Sequence, residues 1–408
     1  MIALDPLLVD GVGLAEVLIV LGKTLVIFGI LLVSVIFMIW FERKLLGDMQ
    51  NRIGPNKAGP WGILQTLADG MKLIFKEDLI PERSDRIVFR LAPFLMVVPA
   101  FVTFAVVPIG GGFDGDLEGT VSVFGHDTYL QLADPPIGVL LVLAVSSIAV
   151  YGIMLAGWAS GSKYPLLGGV RGTAQMISYE AALSLSVVAV VMLAGSLSTH
   201  EIVATQAGSG YEVLGALGAP RWNVIATGVV PFVVFLIAGV AEVNRPPFDL
   251  VEAEQELVGG FHTEYSGFRF ALFYLAEFMN TITLSAIVVT LFFGGPAGPV
   301  IVGPGWLWGI VWFSVKLFVF LFGAVWLRAT LPRMRYDQLM NLGWKVMIPL
   351  ALGWLLLLGA INVGRDEGWN MALVVGVSFA VLLAGWAGIA AASTTSQRRR
   401  ALAEGEQV

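Results

Sequence analysis

The chain contains no cysteine. That excludes disulfides, thiolate-bound zinc and Cys-ligated iron–sulfur clusters. Histidine is nearly as scarce: His126, His200 and His262 are the only three, and all read as loop residues. Haem held between paired helix histidines is excluded with them, and no histidine and carboxylate set has metal-ligand spacing. Redox chemistry, if any, must use a diffusible molecule or another subunit. Charge is the third scarcity. Charged residues fill 13% of the 408 positions, against about 25% in ordinary soluble domains. Hydrophobic residues fill 57%, and mean hydropathy is +0.82. A water-soluble core could not hide that much apolar surface, whereas lipid tolerates it.

Crossing a hydrocarbon core of about 30 Å takes about 20 apolar residues. Nine segments qualify: 17–40, 90–109, 136–157, 173–195, 223–243, 269–293, 306–328, 346–363 and 370–391. The fold class expected is an all-α polytopic membrane protein of about nine transmembrane helices. Met1–Asp5 has no Lys or Arg, so it lacks the basic start of a signal peptide, and the first span reads as a retained helix. Twenty of the 24 basic residues fall in alternate connections, from Arg43 to Arg90 after the first span through to Arg398–Arg400 at the end. By the positive-inside rule the N-terminus is outside and the C-terminus cytoplasmic. Residues 1–363 form the main membrane domain, 364–392 an additional ninth helix, and 393–408 a basic cytoplasmic tail.

One segment lies at the membrane without crossing it. Between Trp61 and Glu77, Ile63, Leu64, Leu67, Met71, Ile74 and Phe75 recur at helical spacing. Gln65, Thr66, Asp69, Lys72 and Lys76 supply the polar side. This pattern predicts an amphipathic helix in the cytoplasmic interface, a plain anchor on composition alone.

Intramembrane carboxylates are the sharpest chemical signal, because each ionised one costs several kcal/mol unless paired or hydrated. Glu180 lies nine residues past Arg171, and Glu277 eight past Arg269, which puts both about 12–14 Å deep. Glu242 closes its span on the same side. Asn244–Arg245–Pro246–Pro247–Phe248–Asp249 follows, the prolines forcing the chain out of the helix. Glu252, Glu254 and Glu256 come next, and a resumed helix would set Glu252 and Glu256 on one face. Six acids thus gather on one side. Linked by water they make a proton path; as static ion pairs they would only hold helices in register. Lys316, about 18 Å from Arg328 by helical rise, is expected to face water or a carboxylate. Gly22–Lys23–Thr24 is no phosphate loop, since Val17 stands where the earlier glycine belongs. No Ser/His/Asp set is visible, and no basic face suggests nucleic acid.

Longer motifs now stand out. They run Glu42–Arg43–Lys44–Leu45–Leu46–Gly47–Asp48–Met49–Gln50–Asn51–Arg52–Ile53–Gly54–Pro55–Asn56; Gly62–Ile63–Leu64–Gln65 with Leu67–Ala68–Asp69–Gly70; and Gly157–Trp158–Ala159–Ser160 with Lys163–Tyr164. Gln175–Met176–Ile177–Ser178–Tyr179–Glu180, the 242–256 segment and Leu331–Pro332–Arg333–Met334–Arg335–Tyr336–Asp337 with Trp344–Lys345 complete the set. Together they resemble the quinone-site membrane subunit of proton-pumping NADH:quinone oxidoreductase, respiratory complex I, over roughly residues 15–363.

The resemblance implies a subunit without redox centres of its own and without a complete active site alone. Its cytoplasmic loops would form a chamber with peripheral subunits, and a quinone (menaquinone or ubiquinone) would enter from the bilayer as the bound substrate. Glu42, Arg43, Asp69 and Lys72 match chamber positions, and Arg333, Arg335 and Asp337 match a supporting segment. Glu180, Glu242, Glu252, Glu254, Glu256 and Glu277 match acids that couple quinone reduction to proton translocation, with Lys316 counted beside them. The partners implied are the peripheral quinone-site subunits, small membrane subunits and lipid, in a bacterial plasma membrane. The additional helix departs from the family pattern. A related membrane-bound hydrogenase subunit and a stand-alone ion transporter are the alternatives. Transporters, however, place broken helices at the midplane of inverted repeats, and here the acids and prolines gather at one side.

Overall fold

A computed structural model describes residues 5–8, 11, 13–113, 119–207, 221–252, 254–370, 372–381, 383–385 and 387–388, without the side chains of 254 and 255. Among the described residues, seven helices are long and apolar enough to cross a membrane. These are α1 (Leu14–Met49), α3 (Arg86–Phe104), α4 (Gly138–Ala159), α5 (Lys163–Ala194), α8 (Gly267–Phe292), α9 (Gly305–Thr330) and α10 (Tyr336–Asp366). The chain is an all-α membrane protein, as its composition requires. Shorter elements fill the gaps: α2 (Gln65–Phe75), α6 (Thr199–Ala207) and α7 (Val229–Glu242).

One expected span is broken. The segment expected at 223–243 breaks after Asn223–Ala226, where Gly228 adopts φ +74°. Its remaining 14 residues reach about 21 Å, too short to cross alone. The ninth segment is helical over Ala372–Gly385 where described, and the tail from 393 lies outside the described residues. Helix α5 begins at Lys163 rather than 173, so Arg171 lies within it. Helix α1 is 36 residues long, about 54 Å, and carries Glu42 and Arg43 past its apolar stretch.

None of the three histidines is a plain loop residue, His262 closing a single 3-10 turn over Gly260–His262. His126 opens β2 (His126–Tyr129), which pairs antiparallel with β1 (Thr120–Val123), and His200 lies buried in α6. This hairpin had no sequence signal strong enough to compete with the apolar spans around it. It covers the end of the bundle opposite the basic connections, called here the far face. The other end is the basic face.

Helix α8 is the axis of the molecule: 72% of its apolar window is buried, against 17–50% in the other spans. Its side chains enter three core clusters. Leu272, Phe273 and Ala276 pack with α3 and α4; Phe278, Met279 and Ile282 with α1 and α9; Val288, Leu291 and Phe292 with α5 and α7. Small residues allow the tightest crossing. A Cβ on Gly157 would stand 2.5 Å from the Pro165 carbonyl oxygen, so only glycine lets α4 meet α5 there. The basic-face loop after α7 is fixed the same way by Gly260, at φ +61°, where a Cβ would meet the Val251 carbonyl oxygen at 1.8 Å.

Candidate functional site

Consecutive residues on a helix point about 100° apart, and at the basic end of α1 this splits two charges. Arg43 turns outward, its Nη1 donating to Asp69 Oδ2 at 2.6 Å on α2. Gln65 donates to the other Asp69 oxygen at 3.2 Å, and Lys72 stands 4.0 Å away. Partial burial pushes the Asp69 carboxyl up, but the hydrogen bonds from Arg43 and Gln65 and the two cations outweigh it, leaving the carboxyl below its usual range. Helix α2 itself buries no residue. Trp61, Leu67, Met71, Ile74 and Phe75 all stand open beside the Arg43–Asp69 tie.

Glu42 turns inward and is 5% exposed. Arg245 Nη1 donates to both its oxygens at 3.2 Å, and Arg328 of α9 donates to Oε1. The Nε of Arg245 lies 2.8 Å from Glu277 Oε1, with the guanidinium 4.3 Å from the centre of the Phe278 ring. Two carboxylates and two guanidiniums therefore meet at one point, joining α1, the loop after α7, α8 and α9. Balanced pairing is what allows ions to be buried at all.

The loop that carries Arg245 is held from both sides. Gln175 Nε2 donates to the carbonyls of Ala241 and Phe248, each at 2.8 Å. The Tyr179 hydroxyl donates to the Leu339 carbonyl at 2.9 Å, and the Met334 amide donates to the Pro247 carbonyl. Arg333 pairs with Asp249 at 2.7 Å. Burial still pushes the Asp249 carboxyl above its usual range, against the pull of Arg333 and Arg245. The Gln175–Glu180 and Arg333–Asp337 motifs thus brace the Pro246–Pro247 turn, whose peptide bond is cis.

Behind this turn lie two cavities. The first, about 530 Å³ with its open mouth included, is lined by Glu242, Glu252, Glu277 and His262 among others. The second, about 890 Å³, extends between α3, α4, α5, α7 and α8, and shares Met176, Glu242, Val243 and Asn280 with the first. Glu180 accepts a hydrogen bond from Ser147 of α4 and is the charge neighbour of Glu242. Glu242 is surrounded by protein yet partly accessible, because its surface borders both cavities. His262 Nδ1 stands 3.7 Å from Glu252, but burial lowers its pKa to about 4, so at neutral pH the contact carries no imidazolium. Among the described residues no group of three His, Asp or Glu could hold a metal ion.

A model of the NADH dehydrogenase family matches residues 22–359. The chain belongs to the NADH dehydrogenase family. It is 47% identical to the NADH-quinone oxidoreductase H subunit of Streptomyces avermitilis, over 89% of this chain and 78% of that one. The H subunit of Frankia casuarinae is 49% identical over the same shares. That of Frankia alni is 51% identical over 85% of this chain and 74% of its own.

Within this member of the NADH dehydrogenase family the structure gathers some of the expected residues and separates others. Glu242, Glu252 and Glu277 share one cavity, with Glu180 beside Glu242. Glu256 instead pairs with Arg171 at 2.7 Å, its side chain 58% exposed, and the Glu254 side chain lies outside the described residues. Arg335 and Asp337 are exposed at the start of α10. Glu42, Arg43, Asp69 and Lys72 line neither cavity. Among the described residues Lys316 has no carboxylate partner: its Nζ donates to the carbonyls of Phe293, Gly295 and Ala297 at 2.8–2.9 Å. Phe293 caps α8 and the other two lie in the loop just past it, where the helix dipole favours a cation. Lys23 is likewise committed, to Asp5 and Thr128 at 2.8 Å each.

Arg245 and Arg328 were given no role by sequence: beyond the positive-inside pattern, Arg245 entered only within the 242–256 motif, and Arg328 only as the reference for the depth of Lys316. The available signal was Arg245 between a helix-ending carboxylate and a proline pair, three residues past Glu242 and facing a membrane that holds several acids.

Proposed function

We propose that this chain is the membrane subunit of an NADH:quinone oxidoreductase that shapes the quinone chamber and couples quinone reduction to proton translocation. The observation that carries the reading is one chain of charge. It runs from the Arg43–Asp69 tie on α2, through the adjacent Glu42, to Arg245 and Glu277, and so into the cavity shared by Glu242 and Glu252. The N-terminus is then outside and the basic face cytoplasmic.

Reducing a quinone to quinol takes up two electrons and two protons, and the negative charge formed on the way is poorly screened in a low-dielectric chamber. The open apolar side of α2 suits an isoprenoid quinone, and peripheral subunits docking on the basic face would close the chamber around it. Glu42 is buried against two guanidiniums, so a negative charge arising beside α2 would redistribute the ion pairs at Arg245. Glu277 shares Arg245 with Glu42, and the change would therefore reach the cavity acids without a moving helix. The electrons come from redox groups on other subunits.

The test is to tag the C-terminus, extract the membranes in mild detergent and assay what copurifies. A large assembly with quinone-linked, inhibitor-sensitive NADH oxidation is the expected result. Recovery with hydrogenase subunits and no NADH oxidation, or recovery of the chain alone, contradicts the reading.

A further inference from the structure

The larger cavity does not stop at the acid cluster. Along α8 its lining runs from Asn280 to Thr290, about 15 Å by helical rise, and it ends at Thr199 on the far face. Most of the wall is aliphatic, but hydroxyls recur along it, with one amide, Asn280. Hydroxyls inside a helix usually satisfy themselves on the carbonyl four residues back. On α8, Thr281, Ser285 and Thr290 do so. Thr283 is different: it is 4% exposed and lines the cavity, and its Oγ1 has no protein partner. A buried hydroxyl without a partner marks a place for water.

A second orphan stands at the far end. Gln131 Nε2 lies 2.8 Å from Thr199 Oγ1, while the buried Gln131 Oε1 has no partner. Beyond Thr199, Ser198 bonds both oxygens of Asp134 at 2.8 Å. His200 and Glu201 are the charged neighbours of that carboxyl. Burial pushes Asp134 above the usual carboxylate range, with Ser198 and His200 pulling the other way.

We infer that this cavity holds a column of water that carries protons between Glu242 and Asp134, giving the acid cluster an outlet to the far face through this subunit alone. The inference rests on the proposed reading of Glu242 as a proton-carrying acid. In one passage Glu242 loses its proton to the nearest water and becomes a carboxylate. Each water accepts one proton and hands on another, and the Asp134 carboxylate gains one before releasing it outward. No bond other than O–H changes, and no electron moves.

The absence of native cysteine makes hydration directly measurable. Thr283→Cys, Thr290→Cys and the control Val288→Cys, buried in the core off the cavity, are made in the full complex. Right-side-out and inverted vesicles are treated with a small cationic, membrane-impermeant methanethiosulfonate. Labelling of this chain is read by mass spectrometry, and because only a hydrated thiolate reacts, it needs no turnover. In right-side-out vesicles both threonine positions should label at least about tenfold faster than Val288→Cys. Labelling no faster than the control, from the cytoplasmic side only, or only by a lipophilic maleimide overturns the outlet, whatever the fate of the quinone assay. As a second measurement, Asp134→Asn should lower the protons released per NADH oxidised, and an unchanged ratio also overturns it. Loss of the glutamate-dependent quinone activity with labelling intact would instead indict the proposed function.

Discussion

Arg245 Nε stands 2.8 Å from Glu277 Oε1, tying the loop after α7 to the middle of α8. The same guanidinium reaches Glu42, so removing it leaves Glu42 to Arg328 alone and takes from Glu277 the guanidinium it pairs with. Arg245→Met should destabilise the subunit by about 3–5 kcal/mol, the range for an uncompensated buried charge. Adding Glu277→Gln should restore part of that loss. Thermal inactivation of quinone-linked activity for the two single variants and the double variant measures the coupling, and additive losses would contradict the tie.

Lys316→Met should behave as a structural variant. Three carbonyls lose a charged donor, and hydrogen bonds to charged groups contribute about 1.5–3 kcal/mol each where fully formed. The surviving enzyme is expected to inactivate at lower temperature with its ratio of protons to electrons unaltered. A changed ratio would return Lys316 to the coupling residues.

His262 sets a pH dependence. Burial lowers its pKa from 6.5 to about 4, so the unfolded chain binds a proton that the folded chain rejects. Stability is complete above pH 6.5 and falls as acid is added down to about 4, by at most about 3 kcal/mol. His262→Gln should flatten this limb of the profile of thermal stability against pH. An equally steep profile in the variant would show that another group is responsible.

Asp69 gives the opposite case. Its folded carboxyl lies below the ordinary 3.8, so the Arg43–Asp69 tie is present above that value and lost only as pH falls beneath it. Asp69→Asn should therefore alter quinone affinity by the same factor at pH 6 and pH 8. A factor that changes between them would mean that Asp69 titrates in the working range.

Most spans, the amphipathic α2 and the placement of the acids on their helices were legible because each depends on local composition or helical period. The partners of those acids were not. Arg245 and Glu42 are 203 residues apart, and no periodicity links them. Lys316 illustrates the limit: its depth called for a partner, but backbone carbonyls at and just past the end of α8 leave no trace in side-chain chemistry. The β1–β2 hairpin was missed because His126–Tyr129 holds four residues of mixed polarity between strongly apolar spans. Glu256 was expected among the coupling acids, and its pairing with Arg171 was not legible because only folding brings the two together.

Glu242 borders both cavities, and the proposed coupling needs it to carry protons as the quinone is reduced. The deciding variant is Glu242→Gln in the assembled complex. It is assayed in membranes for inhibitor-sensitive NADH:quinone oxidation and, in parallel, for NADH oxidation by an artificial acceptor that bypasses the membrane subunits. The quinone-linked rate should fall by about a hundredfold, the scale of a lost acid–base group, while the bypass rate holds. A quinone-linked rate and proton yield equal to those of the unaltered enzyme would contradict that role for Glu242.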